Sequence, residues 1–205
     1  MIIAIDGPAA AGKGTLAKNL SRHLGMPYLE TGLLYRAVGL KTLKENLSPE
    51  EAADLLQAQE LNNPELRGDE AAGAASKVAA IPAVRAKLLE FQRNFAAQGG
   101  ILDGRDIGTI VCPQADAKIF ITATVEARAQ RRFKELQAAS LSPIYVRVLA
   151  DMKERDARDS QRAEAPLKPA ADAFILDTSG LDAEAVLAEA LAFIEPKVKT
   201  IGANR

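Results

Sequence analysis

The chain has 205 residues, of which 48% are hydrophobic and 26% charged, and its formal net charge is -1 at pH 7. This length predicts one substantial core, and the near-neutral charge excludes a general electrostatic attraction to nucleic acid or to an acidic membrane. A single cysteine, Cys112, excludes an internal disulfide and a cysteine-based zinc site.

The sequence predicts neither a membrane segment nor a targeting signal. No apolar run approaches the ~20 residues that a helix needs to span a bilayer. The first residues, MIIAID, lack the basic start and the long apolar stretch of a signal peptide. We therefore expect a cytoplasmic monomer that has neither a membrane nor a nucleic-acid polymer as a partner.

A glycine-rich stretch, GPAAAGKGT, lies between a predicted strand at residues 2–5 and a predicted helix that ends at Gly25. Such a turn directs successive backbone N–H groups into one concavity, with the positive end of the helix dipole behind them. Small residues after a strand can also form a simple tight turn. The G-x-x-x-x-G-K spacing in this context instead predicts a phosphate site, with Lys13 on the terminal phosphates and the Thr15 hydroxyl on Mg²⁺. The predicted phosphate-binding residues are Gly7, Pro8, Ala9, Ala10, Ala11, Gly12, Lys13, Gly14 and Thr15.

The next part of the chain is predicted to be mainly helical. A short strand at 26–29 precedes a helix that begins at Glu30-Thr31-Gly32. Ser48-Pro49-Glu50-Glu51 is a capping box, and the helix that it begins is expected to run to about Gln59.

Residues 60–75 contain few periodic apolar positions, so we expect mostly loop there. A helix is expected from near Asp69 to about Ala80. Pro82 then begins a longer helix through Phe95, and the two glycines at 99–100 end it.

The rest of the chain alternates between strands and helices. The strands are predicted at 101–103, 117–123 and 173–177, and the helices at 125–138, from about 145 onward, and at 182–199. Five strands that alternate with helices predict a three-layer α/β fold with a five-stranded parallel sheet. Gly104-Arg105-Asp106 presents charges at the carboxyl end of a strand, where open parallel sheets bind ligands. The helical stretches 30–95 and 140–162 are expected to be excursions from a single domain, 1–205.

Arginines are concentrated in the second half of the chain, at Arg128, Arg131, Arg132, Arg147, Arg155, Arg158 and Arg162. The last three fall at i, i+3 and i+7, along one predicted helix face. Guanidinium groups bind phosphate oxygens and neutralise a phosphoryl group during transfer. Because acidic residues interleave with them, a solvated helix face is the alternative, and the presence of a phosphate loop favours the functional interpretation.

No other catalytic pattern competes with phosphoryl transfer. The chain has no GxSxG motif, and His23 is its only histidine. A phosphate acceptor needs no protein base, because its second pKa of ~6 leaves an oxygen largely ionised at neutral pH. Aligning two anions then requires lysine, arginine and magnesium.

Five segments together resemble the bacterial cytidylate kinases, which are nucleoside monophosphate (NMP) kinases. They are IDGPAAAGKGT at 5–15, ETGLLYR at 30–36, ASKVAAIPAVR at 75–85, LDGRDIGT at 102–109 and KERDARDSQR at 153–162. The resemblance covers nearly the whole chain. It implies a P-loop kinase fold with an NMP-binding excursion at 30–95 and a lid at 140–162, and transfer of the γ-phosphoryl group of ATP to CMP or dCMP with Mg²⁺.

The resemblance also implies roles for individual residues. Arg36 and Arg105 would bind the acceptor phosphate. The cytosine would be surrounded by Thr31, Arg85, Asp106 and Arg162, and the sugar by Ser76, Arg155 and Asp159. The lid candidates for contact with the transferred group, beside Lys13, are Arg131, Arg132 and Arg158.

Two features differ from the family pattern. Thr31 stands where serine is expected, and residues 60–75 are shorter than the strand-containing insert of bacterial members. Two alternative functions remain open, namely another small P-loop kinase, of the adenylate or shikimate kinase type, and a nucleotide-binding regulatory module.

Overall fold

The computed structural model describes the backbone of residues 1–203 and the side chains of residues 1–198. The chain forms two compact units. The first consists of Met1–Tyr28 and the chain from Gly99 onward, and the second of Leu29–Gln98. The second unit corresponds in extent to the excursion predicted at 30–95, and its role in NMP binding stays a prediction.

Five strands form one sheet in the order β2-β3-β1-β4-β5. They are β1 (Ile2–Asp6), β2 (Tyr28–Glu30), β3 (Gly100–Gly104), β4 (Ala117–Thr122) and β5 (Phe174–Asp177). β1 pairs in parallel with β3 and β4, and β4 pairs in parallel with β5. The predicted five-stranded parallel sheet is confirmed.

β1 lies in the middle of the sheet because it is apolar on both faces. Residues 3–5 are completely buried, as expected of a parallel strand that is covered on both sides. Its pairing places Asp6 beside Gly104 of β3 and Phe120 of β4. The chain that follows Asp6 therefore begins at the carboxyl edge of the sheet, where ligands bind in such folds.

The helices are α1 (Lys13–Leu24), α2 (Thr31–Glu45), α3 (Pro49–Asp54), α4 (Asp69–Val78), α5 (Pro82–Ala97), α6 (Val125–Ala138), α7 (Tyr145–Ser160) and α8 (Ala183–Ala203). In the first unit, Leu16 and Leu20 of α1 and Ala190 and Ile194 of α8 are buried in one apolar core with the sheet. None of the described helices is both long and apolar enough to cross a membrane.

The second unit is held together mainly by helix packing. Its apolar core is formed by α2, α3, α4 and α5, with Leu34, Val38 and Leu88 buried in it. Gly39 allows α2 to approach α4 closely, because a Cβ atom at Gly39 would lie 2.7 Å from the Cβ of Ala74.

Two predictions for residues 50–75 were wrong. α3 ends at Asp54 rather than near Gln59, and two 3-10 turns, Ala58–Asn62 and Pro64–Arg67, replace much of the expected loop. Side chains stabilise these turns, since Glu60 accepts from the N–H of Gln57 and Asn63 accepts from the N–H of Glu65. Such local bonds compete with continuation of a helix.

A short π-helical turn, Ile107–Val111, follows β3 and was not predicted. Asp106 precedes it with φ -144° and ψ 23°, outside the helical region. The turn matters because it follows directly on two predicted site residues, Arg105 and Asp106.

Candidate active site

The predicted phosphate loop, Gly7–Thr15, joins β1 to the start of α1. Two glycines adopt conformations that the loop requires. Gly7 has φ +149°, and a Cβ atom there would lie 2.1 Å from the carbonyl oxygen of Ile121. Gly12 has φ +100°, and apart from its chain neighbours no described residue has an atom within 4 Å of the position that its Cβ would take. Only glycine accommodates both constraints, and the loop is open on the Gly12 side.

Lys13 is the first residue of α1 and is 8% exposed. Its Nζ donates to the carbonyl oxygen of Pro8 at 2.7 Å. Burial lowers the pKa of Lys13 well below its ordinary value, and the positive charge of Arg105 lowers it further, whereas the carboxylate of Asp103 opposes them. A bound phosphate anion would favour the charged lysine.

An ion pair links the end of β3 to α7. Arg105 Nε lies 2.8 Å from Asp159 Oδ2. Burial by itself raises the pKa of the Asp159 carboxyl, but Arg105, Arg155 and Arg162 outweigh that effect and hold the pKa below its usual range. The charges of Arg105, Arg155 and Asp159 also influence the pKa of Lys13. The first unit therefore brings the phosphate-loop lysine into one charged cluster with four predicted acceptor residues, which are these three and Arg162.

Asp6 supports the turn after β3. Its Oδ1 accepts from the N–H of Ile107 at 2.8 Å, and its Oδ2 accepts from the N–H of Gly108 at 2.7 Å. Burial raises the pKa of Asp6 to about 6, although these two hydrogen bonds oppose the rise. The carboxylate therefore anchors the turn next to Asp106, which is 4% exposed.

Four predicted acceptor residues lie in the second unit. Thr31 begins α2 and is buried, and Ser76 is buried in α4. Arg36 Nη1 donates to the carbonyl oxygen of Leu66 at 2.6 Å. The 3-10 turn at Pro64–Arg67 thus contacts a residue that is predicted to bind the acceptor phosphate.

Arg85 is the fourth of these residues. Its guanidinium carbon lies 5.6 Å from the centroid of the Tyr35 ring, and its Nη1 donates to the carbonyl oxygen of Ala79 at 3.2 Å. The aromatic face and the carbonyl group restrict the orientation of a side chain with many rotamers.

The three lid candidates lie in different environments. Arg131 Nη1 donates to Thr178 Oγ1 at 3.0 Å and lies 3.5 Å from the carbonyl oxygen of Ala11 in the phosphate loop. Arg132 pairs with Glu135 at 3.0 Å on α6, and Arg158 pairs with Glu154 at 2.5 Å on α7. Arg158 therefore forms its ion pair with a residue of its own helix. Arg155 and Arg162 instead lower the pKa of Asp159.

Arg128 was predicted only as one of the clustered arginines, without a role of its own, and Asp156 was not predicted as a site residue. Arg128 is 4% exposed and donates from Nη1 and Nη2 to the two carboxylate oxygens of Asp156, at 2.9 and 2.6 Å. Nη1 also lies 3.3 Å from the carbonyl oxygen of Ala9. The sequence offered no signal for this bidentate pair, because Asp156 is one of several acidic residues on α7.

Three more residues were missed, namely Asp6, Asp103 and Thr178. Asp103 Oδ2 lies 3.7 Å from the position that a Cβ atom would take at Gly14. All three residues lie at, or directly after, the carboxyl end of a parallel strand. That position was an available signal, because ligand sites form at this edge of the sheet.

An open phosphate loop at the carboxyl edge of a parallel sheet, with a buried lysine and an arginine cluster beside it, defines a P-loop phosphotransferase. The fold agrees. A solved gluconokinase from Sinorhizobium meliloti 1021 has a TM-score of 0.53 with 13% identity, over 98% of this chain and 95% of that chain. At this identity the similarity supports the fold alone.

The family is shown by sequence. The cytidylate kinase family model matches residues 3–196. A cytidylate kinase from Paramagnetospirillum magneticum is 59% identical, over 96% of this chain and 98% of that protein. Another from Methylocella silvestris is 54% identical, over 95% of this chain and 94% of that protein.

The chain belongs to the cytidylate kinase family. It is an enzyme, a kinase that transfers a phosphoryl group from ATP to CMP, and this part of the prediction from resemblance is confirmed.

Proposed function

We propose that residues Gly7–Thr15 bind the phosphates of ATP and that the arginine cluster of the first unit binds the acceptor nucleotide, CMP or dCMP. The observation that carries this proposal is the ion pair of Arg105 with Asp159 at 2.8 Å, whose charges, with that of Arg155, also influence the pKa of Lys13 in the loop. Cations of a donor site and of an acceptor site that lie together can screen the repulsion between two phosphate groups. The transfer is in line and direct, from one phosphate to the other.

No protein base is required in this reaction. The acceptor phosphate is largely ionised at neutral pH, since its second pKa is ~6. The chain therefore has to align and neutralise the reacting groups. Lys13 does so at the donor side, and Arg36 and Arg105 are proposed to hold the acceptor phosphate.

The donor set of the loop fits a magnesium ion that arrives with ATP. Thr15 is exposed, and the carboxylate of Asp103 lies beside Gly14. Hydroxyl and carboxylate oxygens are ligands that Mg²⁺ accepts alongside phosphate oxygens and water. When bound, the ion would neutralise charge on the phosphates, and we propose that Thr15 holds it, with Asp103 contributing directly or through water.

The remaining residues are proposed to recognise the nucleoside. Around the cytosine we place Thr31, Arg85, Asp106 and Arg162, and around the sugar Ser76, Arg155 and Asp159. A carboxylate or hydroxyl can accept from the exocyclic amine of cytosine, and arginine can donate to its carbonyl oxygen and ring nitrogen. The low pKa of Asp159 supports its role, because an ionised carboxylate accepts hydrogen bonds from sugar hydroxyls.

Arg131, Arg132 and Arg158 stay proposals as contacts of the transferred group. Nucleotides are the proposed partners, and we propose a cytoplasmic monomer that binds no nucleic-acid polymer or membrane. The net charge of -1 supports the last point.

An acceptor panel tests the proposal. Purified enzyme with ATP and Mg²⁺ should phosphorylate CMP and dCMP faster than UMP, AMP or shikimate, as measured by coupled ADP formation. Asp106→Ala should raise the KM for CMP about 10- to 100-fold and leave the KM for ATP unchanged. Faster phosphorylation of AMP or of a non-nucleotide would overturn the acceptor assignment, and slow ATP hydrolysis unaffected by CMP would instead indicate a regulatory module.

A further inference from the structure

We propose that Thr178 is a positioning residue for the donor site, because its hydroxyl and Arg131 together hold the Ala11 carbonyl and so fix the direction of the Gly12 N–H. The inference rests on the proposed binding of ATP phosphates by Gly7–Thr15. It concerns a residue 167 positions away from Ala11 in the sequence.

Thr178 follows β5 and is 2% exposed. Its Oγ1 lies 2.9 Å from the carbonyl oxygen of Ala11 and 3.2 Å from that of Thr122. A hydroxyl has one proton to donate, and the shorter contact assigns it to Ala11. The lone pairs of Oγ1 remain available to accept from Arg131 Nη1 at 3.0 Å.

The backbone of Thr178 is itself anchored. Its N–H donates to the carbonyl oxygen of Thr122 at 2.8 Å, at the end of β4. Arg131 Nη2 donates to the Thr178 carbonyl oxygen. The hydroxyl is therefore held by the sheet on one side and by α6 on the other, which makes it a rigid support.

The planar peptide bond between Ala11 and Gly12 couples the direction of the Ala11 carbonyl to that of the Gly12 N–H. The carbonyl of Ala11 and the N–H of Gly12 belong to one peptide unit and point in opposite directions. The Ala11 side chain is fully buried in the apolar core of the first unit, and its carbonyl oxygen accepts from Thr178 Oγ1 at 2.9 Å and lies 3.5 Å from Arg131 Nη1. Holding the carbonyl inward thus directs the N–H outward, as a phosphate nest requires.

Neighbouring units of the loop are held in a similar way, which strengthens the inference. Lys13 donates to the carbonyl oxygen of Pro8 at 2.7 Å, and Arg128 Nη1 lies 3.3 Å from that of Ala9. Those supports are cationic, and Lys13 is also assigned to phosphate. The support from Thr178 is a neutral hydroxyl, so removing it leaves the net charge of the site unchanged.

The test uses Thr178→Val, which keeps the shape and removes the hydroxyl, and Thr178→Ser, which restores it. Thr42→Val is the matched control, because the Thr42 hydroxyl donates to the Val38 carbonyl oxygen at 2.9 Å within α2. Affinities for ATP, inorganic tripolyphosphate and CMP are measured by isothermal titration calorimetry, together with thermal denaturation.

Loss of one hydrogen bond of about 1–1.5 kcal/mol corresponds to a roughly 5- to 12-fold weaker affinity. We expect this loss for ATP and for tripolyphosphate in Thr178→Val, unchanged CMP affinity, and values within about twofold of wild type for Thr178→Ser and Thr42→Val. Should Thr178→Val not fold, Thr178→Ala is taken through the same panel.

Three results would overturn the inference. Weaker ATP binding with unchanged tripolyphosphate binding would mean that Thr178 supports binding of the adenosine part of ATP and not of its phosphates. Equal losses for ATP and CMP with a lower melting temperature would indicate general destabilisation, and unchanged ATP affinity would exclude the support altogether. Failure of wild-type enzyme to bind tripolyphosphate would instead count against the proposed donor loop, so the two proposals fail in different ways.

Discussion

The two units of the molecule hold their predicted site residues in different ways. In the first unit the bond from Lys13 to Pro8 spans only 5 positions, but two other supports of the phosphate loop join residues far apart in sequence, with Arg128 and Ala9 119 positions apart and Thr178 and Ala11 167 apart. In the second unit the separations are shorter, 30 positions for Arg36 and Leu66 and 6 for Arg85 and Ala79. A parallel sheet brings together, at one edge, the carboxyl ends of strands that are far apart in sequence. Packed helices instead bring together residues that are closer in sequence.

This difference has a consequence for substitutions. Substitutions in the phosphate loop should impair the use of ATP with every acceptor, and substitutions in the second unit should impair the use of CMP alone. The following variants test that separation.

The largest effect is expected at Lys13. Lys13→Ala removes the cation that is proposed to lie beside the transferred phosphoryl group, and it removes the donor to the Pro8 carbonyl. We expect kcat to fall by about 10²- to 10³-fold with every acceptor, as measured by coupled ADP formation. Lys18→Ala, at an exposed position of the same helix, is the control, and a loss confined to one acceptor would contradict the donor role.

Arg85 provides the matching test in the second unit. Arg85→Met keeps much of the side-chain length but removes the guanidinium group over Tyr35. The KM for CMP should rise about 10- to 100-fold while the KM for ATP stays constant, since hydrogen bonds from charged groups contribute about 1.5–3 kcal/mol. Arg93→Met, at an exposed position of α5, should change neither constant. An equal rise in both KM values would remove the distinction between the units.

Two glycines test the helix packing of the second unit. A Cβ atom at Gly39 would lie 2.7 Å from Ala74 Cβ and 2.9 Å from its carbonyl carbon. Gly39→Ala should lower the free energy of unfolding by about 1–2 kcal/mol, despite a gain in helix propensity of about 1 kcal/mol. A Cβ atom at Gly73 would meet no described atom within 4 Å outside its chain neighbours and the nearby backbone of its own helix, so Gly73→Ala should raise the free energy of unfolding by about 0.5–1 kcal/mol. Urea denaturation measures both, and a free energy of unfolding that rises in Gly39→Ala as well as in Gly73→Ala would contradict the close packing of α2 on α4.

The smallest effect is a pH dependence that arises from Asp6 in the first unit. Burial raises the pKa of Asp6 to about 6 from 3.8. Its contribution to folding is therefore fully present below pH ~4 and is lost as the pH rises through ~6. The difference in unfolding free energy between wild type and Asp6→Asn should fall by about 1 kcal/mol between pH 5 and pH 7.5. A difference that rises with pH would mean that the two backbone hydrogen bonds outweigh the effect of burial.

Much of the fold could be predicted because it depends on local patterns. The apolar run at residues 2–5 and the capping box at Ser48 are complete within a few residues of sequence, and the strand and the helix start that they predict are both present. The end of α3 could not be predicted in this way. It depends on competition between helix continuation and the side-chain hydrogen bonds of Glu60 and Asn63.

The phosphate loop and the family could be predicted from contiguous residues with a characteristic spacing, and the parallel sheet from the alternation of strands with helices. The side chains that support the loop became known only from the folded structure. The strands β1 and β5 place Asp6 and Thr178 beside their partners, and the helix α7 places Asp156 beside Arg128. A threonine after a strand, or an aspartate on a charged helix, has no distinctive pattern in sequence, and its hydrogen-bond partner exists only after the chain has folded.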